Sequence, residues 1–220
     1  MTETEALEWL KTAQSVSRET VKKMETFAAY LKREATSQNL VASSTLDHIW
    51  ARHIVDSAQL LSYVEAESPV GGWLDLGSGA GFPGLIIALL SDYDVTLVES
   101  RARRSDYLQR AIDMLDLGDR VTVAAIAVEK LSTTRYSVIS ARAFAPLPKL
   151  FTLAERFSTN NTLWLLPKGR NAATEWEDAR NVWSGEFRVE QSITDAEAGI
   201  LVGKLMGRQQ LDTHREQKGG

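Results

Sequence analysis

The chain has 220 residues, 44% of them hydrophobic, with 25 Lys+Arg against 29 Asp+Glu and a formal charge of −4. That length and composition fit a soluble globular protein with one sizeable domain, and they exclude disorder as the main state. The chain has no cysteine, which excludes disulfides, zinc-thiolate sites and thiol nucleophiles, and suggests a reducing compartment.

In chain order, Leu7, Leu10, Val16, Val21, Met24, Phe27, Ala28 and Leu31 recur at helical spacing, which predicts two helices. Glu3, Glu5 and Glu8 precede any basic residue, the reverse of a secretory signal, and the longest apolar run, Leu85 to Leu90, falls far short of a membrane helix. The expected compartment is the cytoplasm, with no membrane contact. A polar stretch, Arg33 to Asn39, comes next, and Leu46, Ile49, Trp50, Ile54, Ala58 and Leu61 restart the helical period through Val64. Ser68-Pro69 and Gly71-Gly72 mark a boundary, so residues 1–70 are expected to form a helical N-terminal element.

Beyond it the period changes. Strands are predicted at Trp73–Leu76, Val95–Glu99 and Val121–Ala125, with helices at Pro83–Leu90 and Arg103–Leu115 between them, the alternation that builds βαβ units and a parallel sheet. Tyr136–Ser140 and Leu163–Leu166 read as further strands, and Phe187–Ile193 with Gly199–Met206 as a closing antiparallel pair. The expected fold is α/β: a mostly parallel seven-stranded sheet over residues 71–208 with an antiparallel last strand, followed by a frayed tail at 209–220.

The strongest local signal is the strand, turn and helix start from Trp73 to Gly84, with Gly77, Gly79, Gly81 and Gly84 in eight positions. Glycines let backbone approach a ligand, and a helix N-terminus presents free N–H groups. Gly79 is expected to leave room that a side chain would fill. Gly79 to Gly84 satisfies G-x-G-x-x-G, and Glu99 ends the next strand where a ribose-binding acid belongs, so a nicotinamide oxidoreductase is one reading. Asp75 favours another. An acid just before the turn can meet the ammonium of an amino-acid moiety, which suits S-adenosylmethionine better than a pyrophosphate. A ligand-free turn is the third. No P-loop lysine or G-x-S-x-G elbow is present, and no metal site is expected from His48, His53 and His214, since His48 and His53 lie five apart.

These residues, with Asn39-Leu40, Arg52-His-Ile-Val-Asp-Ser57, Leu74 to Gly84, Val98-Glu-Ser100, Ser140-Ala-Arg-Ala-Phe-Ala145 and Lys168-Gly169, resemble the bacterial 16S ribosomal RNA guanine-N7 methyltransferases, the RsmG or GidB family. The resemblance runs from about Asn39 to Leu205. It implies a Rossmann-like methyltransferase fold, S-adenosylmethionine as donor and N7 of a guanine of 16S ribosomal RNA as acceptor, within the small ribosomal subunit or its precursor. It places Gly77 and Phe82 on the cofactor, Val128 and Glu129 on its adenine, and Arg142 closing the site. Arg52, His53, Arg103, Arg104, Lys168 and Arg170 become candidates for the RNA, with Arg142 and Lys168 positioning groups and no general base expected. Blander readings stand beside these: a solvated helix face for the arginines after Glu99, a helix-to-core hydrogen bond for His53 and Asp56, a structural ion pair for Arg142. A non-catalytic RNA-binding relative of the same fold also fits.

Overall fold

The computed structural model describes residues 1–64 and 71–209. The expected boundary at Ser68-Pro69 and the tail from residue 210 lie outside the described residues. Gln209 itself is not frayed: its backbone N–H donates to Val182 O at 2.8 Å and its side chain to Arg180 O.

Helix α1 (Glu3–Ala13) starts on a capping box in which Thr2 and Glu5 bond each other's backbone, and α2 (Arg18–Glu34) starts on the Ser17 hydroxyl, so both begin where a side chain satisfies free N–H groups. The predicted third helix is real but not uniformly wound. It runs as a 3-10 turn (Ser43–His48), a π-helical stretch (Trp50–Val55), the short α3 (Asp56–Ala58) and another 3-10 turn (Gln59–Tyr63). The Glu3 carboxylate accepts from the N–H groups of Trp50 and Ala51, pinning the π-helical stretch to α1.

The sheet contains β1 (Trp73–Leu76), β2 (Val95–Val98), β3 (Val121–Ala124), β4 (Val138–Ala141), β5 (Leu163–Lys168), β6 (Trp183–Gln191) and β7 (Gly199–Arg208) in the order β3-β2-β1-β4-β5-β7-β6. The first five are parallel, and β7 is antiparallel to both β5 and β6. Strand order reverses between β1 and β4, and in open parallel sheets the crevice beyond that switch point is where ligands bind. Strand β5 continues past its expected end through Pro167 and Lys168, paired with Ile200 and Gly199, because proline holds the preceding residue extended.

Alternate sheet residues feed two cores. Trp73, Val95 and Leu97 face α1, α2, α4 (Gly84–Leu90) and α5 (Ala102–Leu115), so the N-terminal helices share one continuous core with the sheet. Leu74, Leu76, Val98 and Ile139 face α6 (Leu147–Ala154) and α7 (Ala172–Ala179). Sequence reading missed both of these helices. Pro146 caps α6 and Pro148 lies in its first turn, where proline is tolerated, and α7 is short and largely polar.

Candidate functional site

Two clefts open at the carboxyl ends of the parallel strands. The smaller, of about 390 Å³, is lined by Gly77, Val98 to Arg101, Arg104, Ile126 to Glu129, Ala143 to Ala145, Lys149 and Leu153. Its floor is backbone. Gly77 and Gly79 stand at φ +69 and +54, the left-handed region where a Cβ costs roughly 1–2 kcal/mol. At Gly77 an added Cβ would also lie 2.5 Å from Phe144 Cδ2, whereas at Gly79 nothing comes nearer than 3.6 Å, so the surface over Gly79 is open.

Glu99, buried at the end of β2, accepts from the Gly79 N–H at 3.2 Å and the Arg101 N–H at 2.9 Å. These bonds fix the carboxylate on the cleft wall, with the Arg104 guanidinium 3.9 Å away. Glu129 stands in the same wall beyond β3, next to the buried Val128. An acid after β2 and another after β3, set across a floor that a side chain would fill, fit a ribose and an adenine amino group. Gly77, Glu99, Val128 and Glu129 therefore share this cleft, and Gly79 joins them through its N–H on Glu99.

Asp75 and Phe82 are not. The Asp75 carboxylate is fully buried and accepts from Ser140 Oγ at 2.8 Å and the Gly84 N–H at 3.2 Å. Trp73 Nε1–H donates in turn to Ser140. Burial pushes the Asp75 carboxyl above its usual range, against the pull of those hydrogen bonds. Asp75 thus ties β1 to β4 and to the start of α4, and it lines neither cleft. Phe82 is buried against Phe27 and His53, with the Arg142 guanidinium 5.2 Å above its ring. It joins the glycine loop to the N-terminal helices, and its ring lines neither cleft.

Arg142 sits on that ring and is held by the helical segment. It donates to Asp56 Oδ2 at 3.2 Å, to Arg52 O and to His53 Nδ1 at 3.1 Å. Because a guanidinium only donates, Nδ1 accepts, and Nε2–H donates to Thr45 Oγ1 at 2.8 Å. Burial, helped by Arg142 and Arg52, pushes the His53 pKa down to about 3. His53 is therefore neutral near pH 7 and holds Arg142 within the lining of the larger cleft. For Arg142 the ion-pair reading holds, and the paired guanidinium lines the larger cleft and not the smaller one, where closing a cofactor site would put it.

That larger cleft, of about 1060 Å³, brings Arg52, Arg142, Lys168 and Arg170 together. Each is paired with an acid of the same cleft: Arg52 with Asp195 at 2.6 Å, Arg142 with Asp56 at 3.2 Å, Lys168 with Glu175 at 2.8 Å and Arg170 with Glu197 at 3.5 Å. Asp56 also accepts from Thr194 and Gln59, and Gln59 reaches Ser192 and Ile193. The N-terminal segment is thereby laced to the β6–β7 turn. Sequence reading missed Glu175, Asp195 and Glu197, because no local pattern announces partners up to 143 residues apart.

Arg103 and Arg104 lie elsewhere. Arg103 donates to Ser37 O and Arg104 to Asn39 O, so the two clamp the connector after α2 onto α5, and neither lines the larger cleft. Phe144, quoted in the resemblance but given no role, lines both clefts.

A glycine turn after β1 at the switch point, an acid ending β2 and an antiparallel β7 inserted between β5 and β6 define a Rossmann-like S-adenosylmethionine-dependent methyltransferase. The fold is similar to that of an S-adenosyl-L-methionine-dependent methyltransferase from Aquifex aeolicus (TM-score 0.56, 14% identity, covering 81% of this chain and 97% of that one) and of a putative one from Methanococcus maripaludis (TM-score 0.57, 12% identity, 77% and 93%). The family model described as rRNA small subunit methyltransferase G matches residues 20–202. The ribosomal RNA small subunit methyltransferase G of Zymomonas mobilis subsp. mobilis is 50% identical over 208 residues, 92% of this chain and 93% of that one. That of Rhizorhabdus wittichii is 51% identical over 203 residues, 92% of each. The chain belongs to the rRNA small subunit methyltransferase G family, which resolves the choice that the G-x-G-x-x-G spacing left open against a nicotinamide enzyme.

Proposed function

We propose that the chain methylates N7 of one guanine in 16S ribosomal RNA, in the small subunit or its precursor in the cytoplasm. The smaller cleft would take S-adenosylmethionine and the larger one the RNA. The observation that carries this reading is the junction at Ala143 to Ala145, where a cleft walled by Glu99 and Glu129 meets one rimmed by four basic side chains. Among the described residues no helix is long and apolar enough to cross a membrane.

When bound, S-adenosylmethionine supplies a methyl group on a sulfonium sulfur. The chain's part is to orient. Glu99 and Glu129 hold the nucleoside end, Gly77 and Gly79 let its other end lie on backbone, and Arg142 is fixed at the junction by Asp56 and His53. Guanine N7 carries a lone pair and no proton, so proximity and electrostatics suffice and no side chain need act as a base. His53 agrees, since its Nδ1 lone pair is already engaged by Arg142. Arg52, Lys168 and Arg170 would meet phosphates.

Purified chain, labelled cofactor and either naked 16S RNA or small subunits test this, with mapping of the modified atom. Transfer to N7 of a single guanine is expected. Transfer to another atom would overturn the N7 assignment, and cofactor binding without transfer to either substrate would favour a non-catalytic RNA-binding protein.

A further inference from the structure

Among the described residues, Phe144 is the only Phe, Tyr or Trp lining either cleft, and it lines both. The backbone puts it there. Ala143 stands at φ +52, a left-handed conformation that a non-glycine residue adopts only when its surroundings impose it. That reversal leaves Arg142 on the side of Asp56 and His53 and brings the Phe144 ring down over Gly77, where an added Cβ would meet Cδ2 at 2.5 Å. The ring is only partly buried.

We propose that Phe144 is the surface on which the target guanine stacks and against which its developing positive charge is stabilised. This rests on the reading of the two clefts given above. A base in the large cleft meets a lining whose four basic groups are already matched by four acids, an environment suited to an uncharged heterocycle. The other aromatic ring of that lining, His53, is stacked on Phe82 and bonded at both nitrogens; the Phe144 face lies at the end of the cleft nearest the glycine turn, so a base stacked there brings its edge to the boundary with the smaller cleft. Bases that undergo chemistry are drawn out of the RNA stack and held against aromatic rings.

The reaction supplies the second half of the argument. The lone pair on guanine N7 forms the new bond to the methyl carbon as the carbon–sulfur bond breaks, its electron pair remaining on sulfur. No proton moves, and the positive charge passes from sulfur to the purine. An aromatic face attracts a cation, so it holds the methylated purine more tightly than the guanine it came from. A leucine of similar bulk cannot.

The test uses Phe144→Leu, Phe144→Tyr and Phe144→Trp in the full chain. Single-turnover transfer to small-subunit RNA at saturating cofactor should fall about 5- to 150-fold in the leucine variant, the range stacking supplies, and return to within a few-fold with tyrosine or tryptophan. Because Phe144 also lines the smaller cleft, calorimetric affinity for S-adenosylmethionine is measured for each variant, and its change should be smaller than the change in transfer, which is read at saturating cofactor. A readout independent of turnover is the ratio of affinities for 16S RNA carrying 7-methylguanine at the target and RNA lacking it. The wild type should prefer the methylated RNA by about 2- to 30-fold; leucine should abolish that preference, and tyrosine and tryptophan keep it.

An undiminished rate and preference in Phe144→Leu would overturn the proposal. So would a loss that tyrosine and tryptophan fail to restore, or a fall in cofactor affinity with transfer at saturating cofactor and the RNA preference unchanged, which would limit Phe144 to the cofactor wall. If the wild type transfers no methyl to any guanine N7, the underlying reading of the clefts fails, and that result is visible before any variant is made.

Discussion

The two clefts are built by opposite means. The smaller one is backbone and near neighbours: a glycine turn after β1, an acid ending β2 and a pair of residues after β3, each placed by the end of a parallel strand. The larger one is side chains from distant segments, Arg52 and Asp56 before the sheet, Arg142 after β4, Lys168 and Arg170 around the end of β5, and Asp195 and Glu197 in the β6–β7 turn. A site made of backbone geometry is rigid and intolerant of any added atom. A site made of ion pairs is tunable, and it responds to pH and salt.

The sharpest way to break the first cleft without the second is Gly79→Leu. The left-handed φ alone costs about 1–2 kcal/mol for a non-glycine residue, and the side chain would stand beside Glu99, which the Gly79 N–H holds, with Phe144 out of its reach. Affinity for S-adenosylmethionine should fall below calorimetric detection, with RNA binding in a filter assay unchanged. Equal losses of both would mean that the clefts are one cooperative unit.

Glu99→Gln should follow, weakening cofactor binding by about 1.5–3 kcal/mol as charge-assisted hydrogen bonds are lost. A calorimetric effect within error would move ribose recognition to another group.

The same contrast explains what was legible in the sequence. The parallel strands, the glycine turn and Glu99 declare themselves in short stretches, because alternating strand and helix periods fix which end of the sheet they occupy, whereas Val128 and Glu129 were placed on the adenine by the family resemblance. Side-chain direction does not declare itself. Asp75 and Phe82 lie in the most informative segment of the chain yet point away from both clefts, one into β4 and the start of α4, the other into the N-terminal helices. Gly84 sits in the fingerprint for packing, since an added Cβ would strike Leu97 Cδ2 at 2.2 Å. Glu175, Asp195 and Glu197 of the larger cleft were invisible because pairing between separate segments depends on tertiary contact alone.

The larger cleft should show a pH dependence through His53. Unfolded, its imidazole takes a proton near pH 6.5, whereas in the folded chain burial and the two arginines defer that to about pH 3. The unfolded state thus binds more protons in between, so the stability that the neutral imidazole contributes is complete above pH 6.5 and lost as pH falls toward 3. Between pH 7 and pH 5 the urea-derived stability should drop by about 1–2 kcal/mol from this group. His53→Gln, which can still accept from Arg142 and donate to Thr45, should remove that part of the slope. An identical slope in the variant would assign the pH dependence to another group.

The smallest expected effect probes the ion pairs themselves. Arg52 with Asp195 and Arg170 with Glu197 are the most exposed of the four pairs, and exposed pairs contribute little to stability. Their value would lie in what RNA must displace. The Arg52 guanidinium beside Asp195, with a second bond from the Glu197 N–H, holds that carboxyl below the usual carboxylate range, so it stays charged at neutral pH and competes with any phosphate for Arg52. A cation already matched by a carboxylate also releases fewer counterions when a phosphate arrives. Asp195→Asn with Glu197→Gln should therefore leave the urea midpoint almost unmoved, raise RNA affinity at low salt, and steepen the dependence of log affinity on log salt by up to about 0.7–0.9 per freed cation. Cofactor affinity should not change, because neither acid lines the smaller cleft. A salt slope equal to that of the wild type would mean that phosphates bypass Arg52 and Arg170, and it would move the RNA path off this rim.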